Sequence, residues 1–328
     1  MDPLPALNFA WGRRPANAVN RLAGRELLVL SMRDLVAAAA RENVLLVAFA
    51  APAPAAMAGF ARAARDAGAP LLLVRPSGAA EEKGPEEARD DVAFVEAAMK
   101  AADEIRFSGP LALLKDPPRA GSAVPDQERV QREIEAGFTG VALAASDSQK
   151  GARDAALAAT AVCSMELGLE VIALGGALAA AELARQLRSR GAAPSTVRIT
   201  GLEEDAAALR AELPGTALSS ATEALAPNLL QMSVQQLVAA GPFLRALQKA
   251  APAEVWGAIE EWANEKGATL EQAAARHQRQ LRDLPEDARE KLEALCYFAA
   301  GDLFEAVGAN GSSVRLIEAL AALHEKDD

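Results

Sequence analysis

Aromatic side chains are scarce: 4% of the 328 residues are Phe, Trp or Tyr, although 51% are hydrophobic. A core of this make-up rests on Ala, Leu and Val, small side chains that pack closely and can fill a sizeable interior. Cysteine is nearly absent. Cys163 and Cys296 lie far apart within apolar helical patterns and no CxxC pair is present, so nothing points to a metal or redox site of that kind and two buried thiols in a reducing cytoplasm are expected. Long apolar runs are missing as well. The stretch from Val44 to Met57 is broken by prolines and falls short of a bilayer span. The N-terminus lacks the basic start and apolar centre of a signal peptide, which leads us to expect a soluble, cytoplasmic protein without a membrane partner. Basic residues are outnumbered 45 to 34, for a formal charge of -11. That balance repels phosphate backbones, so nucleic acid is not an expected partner, while a local basic pocket remains compatible with it.

What is present is a rhythm of short apolar runs and amphipathic helices. Gly109 to Ser146 shows it best, with two apolar strands joined by a helix that opens near Asp126 and ends at Gly137, a βαβ unit with parallel strands. Further strands are expected at Val44–Phe49, Leu71–Arg75, Val171–Leu174, Val197–Thr200 and Thr216–Leu218, with an eighth at Leu229–Ser233. Eight alternations fit a (β/α)8 TIM-type barrel better than an open doubly wound sheet. The expected division is an irregular N-terminal arm over 1–27, a barrel over 28–240 with shortened connections near strands six to eight, and a helical extension over 241–328 packed on the barrel. Ser31 with Asp34, and Thr269 with Gln272, have capping spacing. Val255, Ile259 and Trp262 read as one helix face, and Leu292, Leu295, Phe298 and Leu303 as a later stripe. The extension reads as an oligomer or barrel-covering element.

Several of these segments resemble the class II, zinc-dependent fructose-bisphosphate aldolases. LSMRDLVAAAARENVLLVAFA at Leu30 to Ala50 is similar to that family's opening helix and first strand, and AARDAGAPLLLV at Ala63 to Val74 to its first return from helix to strand. EAGFTGVALAAS at Glu135 to Ser146 resembles the family's AGFTSVMIDGS, and Ala299 to Ser313, ending in VGANGSS, looks like its closing helix. Much of the likeness lies in apolar framework positions, so it speaks to fold more than to activity.

The family's site residues are largely replaced. Its third strand ends in HxDH, where a histidine binds zinc and the aspartate donates a proton; Leu114, Lys115, Asp116 and Pro117 stand there, so only the aspartate is retained. On strand four Ala144 and Ala145 replace the aspartate and glycine, and Ser146 remains. The HGGSG of strand seven falls on Ser219, Ser220, Ala221 and Thr222, and the asparagine of strand eight on Gln231. The family's loop after strand six, which supplies another zinc histidine, reads as deleted, because a helix follows Arg198 almost at once. The chain's two histidines, His277 and His324, both lie in the C-terminal region. Catalytic zinc needs about three protein ligands, so the resemblance implies a barrel that has lost its zinc, with no other cofactor expected.

Each candidate residue has a functional and a plainer reading. Asp116 is an acid/base or ligand-contacting carboxylate, or a relic that caps a loop before Pro117. Lys115 could form a Schiff base, but alternation turns it outward, as a surface lysine beneath a helix. Ser146, Asp147 and Lys150 can hold phosphate at a helix start or simply cap it. Ser219, Ser220 and Thr222 lie where barrels often bind phosphate, or form a polar turn. Gly175 with Gly176 permits a close ligand approach, or an ordinary turn. Arg198 is a candidate anion partner whose direction the sequence leaves open, Gln231 completes the set, and His277 reads as exposed. These residues lead us to expect a degenerate aldolase-like pseudoenzyme, a non-catalytic structural, regulatory or partner-binding subunit. The alternative is a metal-independent sugar-phosphate-binding protein or carbon–carbon lyase. Expected partners are a phosphorylated small molecule, further copies of the chain, and a protein docking on the C-terminal helices.

Overall fold

A computed structural model of the chain describes residues 3–76, 85–116, 127–145, 149–173, 177–199, 203–214, 216–221, 229–230 and 234–325. The first residues, expected to be irregular, form two short helices, α1 (Pro3–Gly12) and α2 (Ala16–Val19). Pro3 and Pro5 disguise α1 in sequence, yet both sit in its first turn, where a missing N–H costs nothing. Asn17 ties this region down by donating to the carbonyls of Ile134 (2.9 Å) and Phe138 (2.8 Å).

The helix α3 (Met32–Glu42) follows, with the Ser31 hydroxyl accepting the Asp34 N–H at 3.1 Å, as the capping spacing predicts. Then come β1 (Leu46–Ala50), α4 (Pro54–Ala67), β2 (Leu71–Arg75), α5 (Pro85–Glu104), β3 (Leu111–Lys115), α6 (Gln127–Ala136), β4 (Gly140–Ala145) and α7 (Gln149–Ser164). The second half continues with β5 (Gly168–Ala173), α8 (Ala177–Ser189), β6 (Thr196–Ile199), α9 (Glu203–Glu212), β7 (Ala217–Ser220) and β8 (Val234–Ala239). Each strand is parallel to the next, and β8 pairs with β1 to close an eight-stranded barrel, the (β/α)8 fold that the alternation predicts. Among the described residues no helix separates β7 from β8.

The last strand begins after the expected Leu229–Ser233, though still within the 28–240 expected for the barrel. A register shift beside Leu218 and Ser219 explains the miss. It places Val234 and Leu237 with the outer packing and Val238 with the inner, so the run shows no simple alternation.

Alternation elsewhere produces two apolar layers. Val47, Phe49, Leu71, Leu73, Leu113, Leu143 and Val171 face the helices, while Leu46, Ala48, Leu72, Val74, Ala112 and Leu114 face inward and meet Leu30, Met32 and Leu35. Met32 closes the N-terminal end of the barrel, its N–H donating to the Thr139 carbonyl at 3.0 Å. Gly140 and Gly168 make room for it: a Cβ on either would lie 2.9 or 2.4 Å from the Met32 Cβ.

Six further helices follow: α10 (Gly241–Ala250), α11 (Ala253–Lys266), α12 (Leu270–Arg276), α13 (Gln278–Arg282), α14 (Glu286–Ala306) and α15 (Ser312–His324). The Thr269–Gln272 capping box is formed as expected. Ile259 is buried, with Val255 and Trp262 half-buried beside it. The stripe on α14 is shifted from the expected one. Leu292, Cys296, Ala300 and Phe304 are buried at four-residue spacing, and Phe298, on another face, is 64% exposed. Helix α14 packs along α4, while α15 packs on α1 and α3. His277 is half-buried rather than exposed, with Nδ1 2.8 Å from the Ala273 carbonyl and its ring edge-on to Trp262. Of the two thiols expected to be buried, Cys296 is, whereas Cys163 is only partly covered. No helix among the described residues is long and apolar enough to cross a membrane.

Candidate functional site

Four strands aim polar side chains into the barrel. Arg198 of β6 stands beside Ile172 of β5 and Ser219 of β7 in register, and one guanidinium nitrogen reaches two carboxylates. It donates to Asp116 Oδ1, just past the end of β3, at 2.7 Å, and to Glu170 Oε2 of β5. Ser219 Oγ donates to the other Glu170 oxygen. Gln236 of β8, in register with Ser219, is fully buried, and neither its amide nitrogen nor its oxygen has a partner among the described residues.

Arg198 is thus the centre of the cluster. Its side chain is 10% exposed, with Glu170 at 7% and Asp116 at 23%. Burial alone would make the guanidinium easier to deprotonate, but Asp116 and Glu170 outweigh this by charge and hydrogen bonding and hold it above the ordinary arginine value. Beneath the cluster, Met32, Leu114, Asp116, Glu170, Thr196 and Gln236 enclose about 10 Å³, room for one water-sized group.

Lys115 does point outward, as alternation predicts, but it is not a surface lysine. It is 1% exposed, and its Nζ lies 2.8 Å from Asp91 Oδ1 on α5, an oxygen that also accepts from the buried Arg75 of β2. Arg75 and Lys115 are register partners, so the outer face of β2 and β3 carries two cations that share one carboxylate. A lysine committed in this way is no Schiff-base nucleophile.

Of the expected site residues, Asp116, Arg198 and Ser219 come together. Ser220, also buried, belongs to the opposite face of β7 by alternation. Lys150 lies in α7, with its side chain outside the described part, and Ser146, Gly175 and Gln231 lie outside the described residues. Glu170, Gln236 and Asp91 were not anticipated. Glu170 had a readable signal: a lone acid between Leu169 and Val171 in GLEVIA. The strand was expected to start only at Val171, which left Glu170 in a turn.

The zinc that the sequence resemblance brings to mind does not fit these donors. Among the described residues no three His, Cys, Asp or Glu side chains gather closely enough to hold a metal ion. The two carboxylates that converge in the barrel are both bonded to a guanidinium, a permanent cation standing where a metal would have to bind.

No protein-family profile matches the chain, and no curated protein sequence matches it. Solved structures do. The YdjI aldolase from Escherichia coli K12 shares 13% identity over 87% of this chain and 99% of its own, with a TM-score of 0.58. A candidate fructose-1,6-biphosphate aldolase from Coccidioides immitis shares 13% over 86% and 96%, with a TM-score of 0.59. At that identity the likeness is one of fold, the barrel architecture of aldolases.

Proposed function

We propose that the chain is a non-catalytic aldolase-like barrel, a structural, regulatory or partner-binding subunit in which the former catalytic face serves as part of the core. The observation that carries this reading is the position of Arg198 between Asp116 and Glu170. An acid/base residue must present its carboxyl to a substrate proton. Here the inherited candidate, Asp116, is bonded to a cation instead, and the cavity beneath it encloses about 10 Å³. In the other expectation, a metal-independent sugar-phosphate binder or lyase that used Arg198 as its anion partner would have to exchange both carboxylates for the ligand. That is costly for a guanidinium so deeply buried.

The test is metal content and turnover together. Protein purified with zinc in all buffers is expected to retain well under one zinc per chain and to cleave no fructose 1,6-bisphosphate. Stoichiometric tightly held zinc accompanied by turnover would overturn the reading.

A further inference from the structure

Away from the barrel interior, a groove of about 440 Å³ lies in the helical shell, lined by the stretch after α2, the start of α4, one face of α5, and α13. Its charge is at odds with the rest of the chain. Acids outnumber bases overall by 45 to 34, yet the lining carries Arg21, Arg25, Lys100, Arg279 and Arg282 against one carboxylate, that of Glu96.

The contacts of Arg21, Arg25, Lys100 and Arg282 leave much of their charge in place. Arg21 donates to the Glu135 carbonyl from Nη2 at 2.7 Å and from Nε at 3.1 Å, and Arg25 to the Leu22 carbonyl at 3.4 Å. Such bonds orient a guanidinium without neutralising it. Arg25 Nε is 4.0 Å from Asp103, Lys100 3.6 Å from Glu104 and Arg282 3.5 Å from Asp283. These exposed pairs are weak and exchange readily for a better anion. The accessible apolar lining is Ala23, Pro54, Ala93 and Ala97, backed by the buried Met57 and Phe94. A space of this volume suits a small organic ligand.

We propose that this groove binds an organic polyphosphate: its apolar or aromatic body rests on Ala23, Pro54, Ala93 and Ala97, and its phosphates meet the arginines, whose planar forks match phosphate oxygens. The site shares no lining residue with the Arg198 cluster, so it stands whether or not the barrel is catalytic.

Calorimetric titration of the full chain with ATP at low salt tests it. Saturable binding of one ATP per chain is expected, weakening as salt is raised and falling by about tenfold or more in a Lys100→Glu/Arg282→Glu double variant. Both side chains are largely exposed, at 68% and 59%, so the variant should melt like the parent. If it does not, Lys100→Gln/Arg282→Gln carries the same expectation. Asp116→Ala should bind ATP unchanged. Absence of saturable binding, parental affinity in the folded double variant, or loss of binding in Asp116→Ala would each overturn the proposal.

Discussion

Lys115 and Asp116 are consecutive residues that serve opposite sides of one barrel wall. Lys115 Nζ is 2.8 Å from Asp91 beneath α5, and Asp116 accepts from Arg198 inside the barrel at 2.7 Å. Outside, Arg75 and Lys115 share one carboxylate; inside, Asp116 and Glu170 share one guanidinium. Among the described residues, the strand end therefore separates a cluster of two cations on one carboxylate from one of two carboxylates on one cation. Each cluster is fixed by its own central residue, Asp91 or Arg198.

Removing Arg198 should be felt strongly. Arg198→Met removes the guanidinium that Asp116 and Glu170 share, a change expected to cost about 3 kcal/mol. That is the low end for buried pairs, because Asp116 keeps 23% side-chain exposure. Adding Asp116→Asn and Glu170→Gln should recover most of the loss, since replacing a whole buried ion cluster is often near neutral. The raised affinity of Arg198 for its proton sets the pH behaviour. Its charge stabilises the fold fully below its unfolded-state value and is lost only as pH rises beyond the still higher folded value. Urea denaturation should therefore give the same difference between parent and Arg198→Met at pH 7 and pH 10. A single variant as stable as the parent would contradict the role given to Arg198.

Much of this arrangement could be read in advance, and its failures have physical causes. Alternation on β3 correctly sends Lys115 outward and Asp116 inward, because side chains on a strand have period two. It cannot say that Lys115 is buried, since that depends on Asp91 of α5, a helix whose rotation the sequence does not set. Arg198 faces Asp116 across 82 positions, and only closure of the barrel brings them together. Gln236 was hidden by a register shift in β7 and β8, which erased the pattern on which strand recognition depends. Phe298 is read from sequence into an apolar stripe with Leu292, Leu295 and Leu303, whereas the buried line of α14 runs through the small residues Cys296 and Ala300. In an alanine-rich chain, small residues mark close packing better than large ones do.

Two glycines in contact with or within α14 should respond to alanine in opposite directions. Helix α4 approaches α14 so closely at Gly59 that a Cβ there would lie 2.3 Å from the Glu293 carbonyl oxygen. Gly59→Ala must push the helices apart and is expected to cost about 1–3 kcal/mol. Gly301 lies within α14, where an added Cβ would meet nothing within 4 Å. Gly301→Ala should gain about 0.5–1 kcal/mol from helix propensity. Denaturation midpoints of the two variants on either side of the parent are the expected result. A tolerated Gly59→Ala would mean that the α4–α14 contact is looser than described.

The thiols offer a check on burial that needs no substitution. Cys163, partly exposed with its Sγ 3.7 Å from the Ala193 carbonyl, has its pKa raised by desolvation, with Arg33 partly offsetting the effect. Cys296 is fully buried and is pushed much further up, by burial first and by the nearby Glu293 second. Only the thiolate reacts with disulfide reagents. In native protein one thiol should therefore react, slowly at pH 7 and faster at pH 9, as Cys163 gains thiolate. The second should appear only when denaturant opens the contact between α14 and α4. Labelling both thiols at one rate in the folded protein would show that the α14 packing, and with it the close approach at Gly59, does not persist in solution.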